Sequence, residues 1–241
     1  MNTKISAKKI TTTSVYLALI AILMFMPLLG FMSFVPGGTA GAVLFLVIIV
    51  LAAELEGLWT GVICSTFFGI CSFINSYIKW TMTAFIFQNP LNSILPRVFI
   101  GFSVYFAFKL FKKLFKKNDG KFLKIILPSA LGAAAGVITN TALVLTLMGL
   151  GYGNVALTLE NGALFGSTVL QLIFGTILIM NFPVELLGCI LIVPPVYYAI
   201  SKYRKMETAL QHQTAIVQQM REAETAEQSQ AEGENGEEEK I

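Results

Sequence analysis

Histidine and aspartate are almost absent from this 241-residue chain. The single histidine, His212, and the single aspartate, Asp119, both lie in its few polar stretches. A Ser-His-Asp triad, a zinc site or a di-metal site therefore cannot be assembled within the apolar part of the chain. No GxxxxGKS or GxxxxGKT motif is present, which excludes a P-loop for nucleotide phosphates. The sequence thus predicts no enzyme, no metal and no cofactor, and a protein without its own energy source.

Charge is scarce as well, since charged residues make up 13% of the composition against 55% hydrophobic residues. This balance, with a mean hydropathy of +0.72, excludes a soluble globular protein. The three cysteines all fall in apolar stretches, so they are interpreted as packing residues and not as a disulfide framework. Ionisable groups inside a membrane are costly, and each one is therefore a functional candidate.

The apolar residues divide into six segments that are read as membrane-spanning helices. The predicted spans are Thr11–Met32, Gly41–Ala53, Leu58–Tyr77, Ile94–Phe111, Ile125–Leu150 and Pro183–Ser201. The predicted fold is therefore an all-α integral membrane protein, a six-transmembrane-helix bundle over residues 1–205. Residues 206–241 are predicted to form an acidic, mostly disordered cytoplasmic tail.

Lysine and arginine set the orientation of the predicted bundle. They cluster before the first span, between the fourth and fifth spans, and after the last span, whereas only Lys79 and Arg97 lie on the opposite side. Both termini are therefore predicted to be cytoplasmic, which requires an even number of crossings. Leu164–Met180 is apolar enough to be a seventh span, so it is interpreted as a helix in or near the outer leaflet. A break at Asn181, Phe182 and Pro183 is expected to join it to the last span.

Three polar residues share one predicted depth. With a rise of about 1.5 Å per helical residue, Arg97 lies about 22 Å above Lys112. By the same rise Asn140 lies about 24 Å above Lys124, and Glu185 about 25 Å above Lys202. In a hydrocarbon core of about 30 Å, all three fall in the outer third, where they are predicted to face a common cavity. The other candidate binding residues near this level are Asn75, Asn89, Asn92, Thr141 and Asn181.

Each of the three also has a structural interpretation. Glu185 is the third residue of a helix opened by Pro183, where a carboxylate interacts favourably with the helix dipole. Asn140 could hydrogen-bond between helices. Arg97 at a helix N-terminus opposes the dipole, so it requires a negative partner such as Glu185, Glu160 or an anionic ligand.

Small residues recur at helical spacing on three spans, which lets helices approach closely. On the third and fifth spans, Gly61, Ser65, Gly69, Gly132 and Gly136 are explained by packing inside the bundle. On the first span, Ser14, Ala18 and Ala21 could instead form an interface with a partner protein.

Several segments resemble the substrate-binding (S) components of energy-coupling factor vitamin transporters, and most closely the subgroup containing pantothenate transporters. The similar segments are FLVIIVLAAELEG at 45–57, FGICSFIN at 68–75, NPLNSILPRVFIG at 89–101, TNT at 139–141, NFPVE at 181–185 and the prolines at 194–195. The apolar stretch Leu164–Met180 and the acidic tail depart from the family pattern.

The resemblance implies a six-helix protein of a bacterial cytoplasmic membrane that captures a water-soluble vitamin on its outer side. The implied partners are the vitamin, a transmembrane coupling subunit and two ATPase subunits, with membrane lipid around the bundle and no nucleic acid. The first helix would dock on the coupling subunit through its small residues. Two alternatives stay open. A secondary transporter or channel should carry ionisable residues near the midplane, and a membrane enzyme or assembly factor would have to work without histidine or aspartate.

Overall fold

The computed structural model of the protein describes residues 7–25, 43–78, 84–116, 122–153 and 168–238. Apart from one isolated bridge residue, the regular structure in these ranges is helical. The α-helices are α1 (Ala7–Phe25), α2 (Val43–Glu56), α3 (Leu58–Ile78), α4 (Ala84–Phe87), α5 (Pro90–Ser93), α6 (Leu95–Leu114), α7 (Leu127–Tyr152), α8 (Val169–Leu172) and α9 (Phe182–Glu238). Two π-helical segments, Phe122–Ile126 and Ile173–Asn181, lead into α7 and α9.

Long apolar helices confirm the predicted all-α membrane bundle. Among the described residues, five helical stretches are long and apolar enough to cross a membrane: Ala7–Phe25, Leu58–Ile78, Pro90–Leu114, Lys124–Tyr152 and Ile177–Arg221. The second predicted span corresponds to α2, which has 14 residues and is therefore about 21 Å long. The apolar helix α2 is thus shorter than the hydrocarbon core.

Helix α2 lies at the centre of the bundle and packs against α1, α3, α6 and α7. Nine of the residues between Phe45 and Glu54 are buried, as expected for a helix that is apolar on all sides. Its Phe45 stacks on Phe68 of α3 with ring centroids 4.9 Å apart. The central position of α2 fixes the relative placement of the helices that carry the polar candidates.

Glycines allow the closest helix contacts. A Cβ atom added at Gly101 of α6 would lie 2.6 Å from the amide nitrogen of Val62 in α3, and one added at Gly61 would lie 2.5 Å from Cβ of Ala53 in α2. At Gly136 of α7 it would lie 2.6 Å from Val104 Cγ2. The small residues of the third and fifth predicted spans therefore serve packing within the bundle.

Replacing Gly101 with alanine is expected to destabilise the protein by about 1–3 kcal/mol, the usual cost of overpacking. The new methyl group would meet the backbone of α3, which cannot yield as a flexible side chain can. Gly151→Ala is the matched control, because a Cβ atom there meets nothing within 4 Å. Thermal unfolding in detergent should show a lower midpoint for Gly101→Ala and not for Gly151→Ala. Equal midpoints would show that α3 and α6 can separate at little cost.

The predicted break before the last span is wrong. Helical backbone continues without interruption from Val169 through the π-helix Ile173–Asn181 into α9. Proline lacks an amide hydrogen, and the change from π-helical to α-helical hydrogen bonding falls beside Pro183. A change of helix type thus takes the place of the break, while residues 164–167 lie outside the described ranges.

Contacts divide the chain into two units, Met1–Tyr198 and Ala199–Ile241. In the second unit the backbone is α-helical through Glu238, where composition predicts a solvated, mostly disordered tail. The segment is rich in alanine, glutamate and glutamine, which are strong helix formers. Its side chains from Lys205 to Arg221 are largely exposed. The predicted boundary between residues 205 and 206 remains a prediction.

Candidate functional site

Arg97 is buried near the start of α6, with 6% of its surface exposed. Its Nη1 donates a hydrogen bond of 2.7 Å to the backbone oxygen of Asn92. The guanidinium carbon lies 4.9 Å from the ring centroid of Phe87 and 5.7 Å from that of Phe68. Such cation–π contacts stabilise an arginine that is removed from water. The Nε atom, however, has no hydrogen-bond partner among the described residues.

Glu185 is buried in the first turn of α9. Its carboxylate is close enough to act electrostatically on Arg97 and on Cys189. The cation and the carboxylate that share a predicted depth are thus both inside the bundle and within electrostatic reach of each other. This pairing offsets part of the cost of burying either charge.

Asn140 is buried on α7 at nearly the level of Arg97. Helices α6 and α7 run antiparallel, and Gly136 of α7 faces Val104 and Ile100 of α6. One turn further along α7 therefore brings Asn140 level with Ile100, within one turn of Arg97. The side-chain oxygen of Asn140 has no hydrogen-bond partner in the part of the chain that the structure describes.

Asn75 and Thr141 are the other two candidates inside the helices, and both are buried. Asn75 follows Phe68 by two turns on the same buried face of α3. Its side-chain oxygen, like that of Asn140, is without a hydrogen-bond partner among the described residues. An unpaired buried polar atom costs about 1–3 kcal/mol, so each of these oxygens is a position where a bound molecule would be stabilising.

Asn89 and Asn92 build the segment that lies over Arg97. The side-chain oxygen of Asn89 caps α5 by accepting a hydrogen bond of 3.0 Å from the amide of Leu91, and its Nδ2 donates to the hydroxyl of Tyr152 at 3.4 Å. The Nδ2 of Asn92 donates to the backbone oxygen of Ile86 at 3.2 Å. These bonds give both asparagines a structural function, and a contact with solute remains a prediction for them. Asn181 is buried at the end of the second π-helix.

Helices α4 and α5 are fastened to the ends of α3 and α7. Tyr77 donates to the backbone oxygen of Gln88 at 3.3 Å, and Gln88 Nε2 donates to that of Ser76 at 3.4 Å. Phe85 makes an edge contact with Tyr152, with ring centroids 5.8 Å apart. These contacts hold helix α4, which carries Phe87, in place.

The candidate partner face of α1 points away from the core. Ile20 and Met24 are the buried residues of α1, which packs against α2 and α3. Ser14 and Ala18 are exposed and Ala21 is partly exposed. The three small residues therefore leave a shallow face, where another transmembrane helix could approach closely.

Sequence reasoning did not single out three functional candidates. Phe68 and Phe87, which flank Arg97, look like any other aromatic residue in an apolar segment. Glu54 is buried in the last turn of α2, just beyond the predicted end of the second span. The signal that could have found it is a carboxylate beside an apolar run, at the helix end where the dipole disfavours negative charge.

This is an all-α membrane protein that holds a buried arginine and, on neighbouring helices, amide oxygens without a hydrogen-bond partner among the described residues. The sequence profile of the family described as ECF transporter, substrate-specific component matches residues 8–200, and the chain belongs to this family. A comparison with curated proteins found no match.

As a member of this family, the protein is the substrate-specific component of an ECF transporter. The family is one of transport components and not of enzymes. Components of this kind work with a substrate, a transmembrane coupling subunit and ATPases. The protein is integral to a membrane, as its apolar helices require.

Proposed function

We propose that this component captures a water-soluble vitamin, with pantothenate as the best candidate, at an outward-facing site of a bacterial cytoplasmic membrane. Two ATPase subunits would drive its uptake through the coupling subunit. The proposed site contains Arg97, Asn140, Glu185, Asn75 and Thr141, with Asn89, Asn92 and Asn181 at its margin. Folate, riboflavin or pyridoxine are the alternative solutes.

One observation carries the proposal. Three buried polar atoms on three packed helices lack a hydrogen-bond partner among the described residues: Arg97 Nε, Asn75 Oδ1 and Asn140 Oδ1. The arginine can donate to a carboxylate, and the two amide oxygens can accept from hydroxyl or amide N–H groups. Pantothenate carries one carboxylate, two hydroxyls and an amide, so its groups are complementary to all three atoms.

The surroundings of Arg97 favour an anionic solute over a neutral one. Its charge opposes the dipole of α6, and two aromatic rings shield it from water. Glu185 supplies one negative charge nearby. A solute carboxylate would give the free Nε the charge-assisted bond that the described residues do not provide, and such bonds are the strong ones.

The experiment is to purify the wild-type protein alone and identify by mass spectrometry any vitamin that co-purifies. Titration calorimetry with pantothenate then gives the affinity. We expect pantothenate to be found and to bind. Binding of a different vitamin would overturn the assignment of pantothenate but not the function of vitamin capture. Uptake in the absence of the coupling subunit and the ATPases would favour a secondary transporter or channel.

A further inference from the structure

A second buried polar cluster lies at the opposite end of the bundle, where Glu54 of α2 meets α7. The hydroxyl of Ser129 donates a hydrogen bond of 2.6 Å to Glu54 Oε2. Glu54 is 8% exposed and Ser129 is fully buried. Lys112, in the last turn of α6, acts electrostatically on the same carboxylate. One carboxylate therefore joins α2 to α7 by a hydrogen bond and lies within electrostatic reach of a lysine on α6.

The position of Glu54 is unfavourable in itself. A carboxylate in the last turn of α2 opposes the helix dipole, and its Oε1 has no hydrogen-bond partner in the described part of the chain. Room for Oε1 exists because residue 132 is glycine. A Cβ atom there would lie 2.6 Å from Oε1 and 3.2 Å from Phe108 Cβ. An apolar residue at position 54 would remove these costs, so packing alone does not explain the glutamate.

The hydrogen bond from Ser129 joins one side of α7 to Glu54 of α2, in addition to the contacts of Gly132 and Gly136 with α6. Ser129 and Asn140 are eleven residues apart, which is close to three full turns and about 16 Å along the axis. Both residues therefore project from the same side of the helix, together with the buried Gly132 and Gly136. A rotation of α7 that broke the bond to Glu54 would also turn Asn140 away from the side on which Gly136 of α7 contacts α6.

We propose that Glu54 and Ser129 are positioning residues, which hold α7 in the rotation that places Asn140 in the solute site. Glu54 acts through Ser129, and Ser129 acts through the rigid helix between it and Asn140. This inference rests on the proposed function, because it assigns Asn140 to solute binding. It extends the site by a pair of residues that never touch the solute.

The test is a double-mutant cycle for pantothenate affinity, with Ser129→Ala, Asn140→Ala and the double variant measured by calorimetry on the purified chain. If wild-type protein binds another vitamin instead, that vitamin is the probe. A hydrogen bond to a charged group is worth up to about one to two powers of ten, so Ser129→Ala should weaken binding about tenfold. In the Asn140→Ala background the same change should have an effect below about twofold, although residues this far apart normally act additively.

Two further variants keep the test valid if Ser129→Ala does not fold. Glu54→Gln keeps an acceptor oxygen for the Ser129 hydroxyl but loses the charge, so it should bind less tightly than wild type and more tightly than Glu54→Leu, which should bind as weakly as Ser129→Ala. Thr146→Ala is the matched control, because Thr146 on the same helix is exposed and donates only to Ala142 within α7. Its affinity should not change.

The outcomes separate this inference from the proposed function. If Asn140→Ala binds as tightly as wild type, the proposed site is wrong and the positioning function falls with it. If Asn140→Ala weakens binding but Ser129→Ala has no effect, or the same effect in both backgrounds, only the inference is overturned. Equal affinities of Glu54→Gln and Glu54→Leu would overturn it as well.

Discussion

Arg97→Ala is expected to weaken pantothenate binding by about one to two powers of ten, since a charge-assisted hydrogen bond is worth about 1.5–3 kcal/mol. Arg97→Lys should weaken it less, because lysine keeps the charge but cannot reproduce the planar, bidentate guanidinium. The loss should be specific to the carboxylate. Pantothenol, the alcohol analogue of the solute, should lose little affinity in either variant.

The measurement is calorimetry with both solutes on wild type, Arg97→Ala and Arg97→Lys. Lys109→Ala is the matched control, because Lys109 is a cation on the same helix whose Nζ lies over the Tyr105 ring at 5.5 Å, away from the proposed site. It should leave both affinities unchanged. The competing explanation is that Glu185 already neutralises Arg97, which then only joins two helices. In that case Arg97→Ala would weaken the binding of both solutes equally and would lower the midpoint of thermal unfolding.

The span boundaries could be predicted because their chemistry is local. Apolar runs bounded by glycine, proline and lysine gave Leu58–Tyr77 for α3, which the structure places at Leu58–Ile78. The fourth span began at Ile94, beside the observed start of α6 at Leu95. Because each helical residue adds a constant rise, the sequence also predicts the depth of a residue in the membrane. Arg97, Asn140 and Glu185 are all buried. Their contact with solute remains a prediction.

The features that could not be predicted from the sequence depend on contacts between distant residues or on hydrogen-bond geometry. Helices α4 and α5 have four residues each, too short for a periodic pattern, and α5 depends on the cap from Asn89. The pairing of Glu54 with Ser129 joins residues 75 positions apart. No residue pattern in the sequence marks the π-helix before α9, because a π-helix differs from an α-helix in its hydrogen-bond register and not in residue type.

The face of α1 formed by Ser14, Ala18 and Ala21 is the surface that we propose for contact with the coupling subunit. Small side chains let two transmembrane helices approach until their backbones nearly touch. Successive residues are about 100° apart around a helix, so these three lie within one narrow sector, away from the buried Ile20. Within the described part of the bundle Ser14 and Ala18 are exposed, and Ala21 is partly exposed.

Replacing Ala18 with phenylalanine is therefore expected to reduce pantothenate uptake to background while leaving its binding to the isolated protein unchanged within about twofold, because only the approach of a partner helix is blocked. Uptake would be measured in cells that also express the coupling subunit and both ATPases, and binding by calorimetry on the purified chain. Leu19→Phe is the matched control, since Leu19 is also exposed on α1 but lies roughly 100° further round the helix from Ala18. It should support normal uptake. Loss of binding in isolated Ala18→Phe would show that the alanine packs inside the protein, and normal uptake by this variant would place the docking surface on another helix.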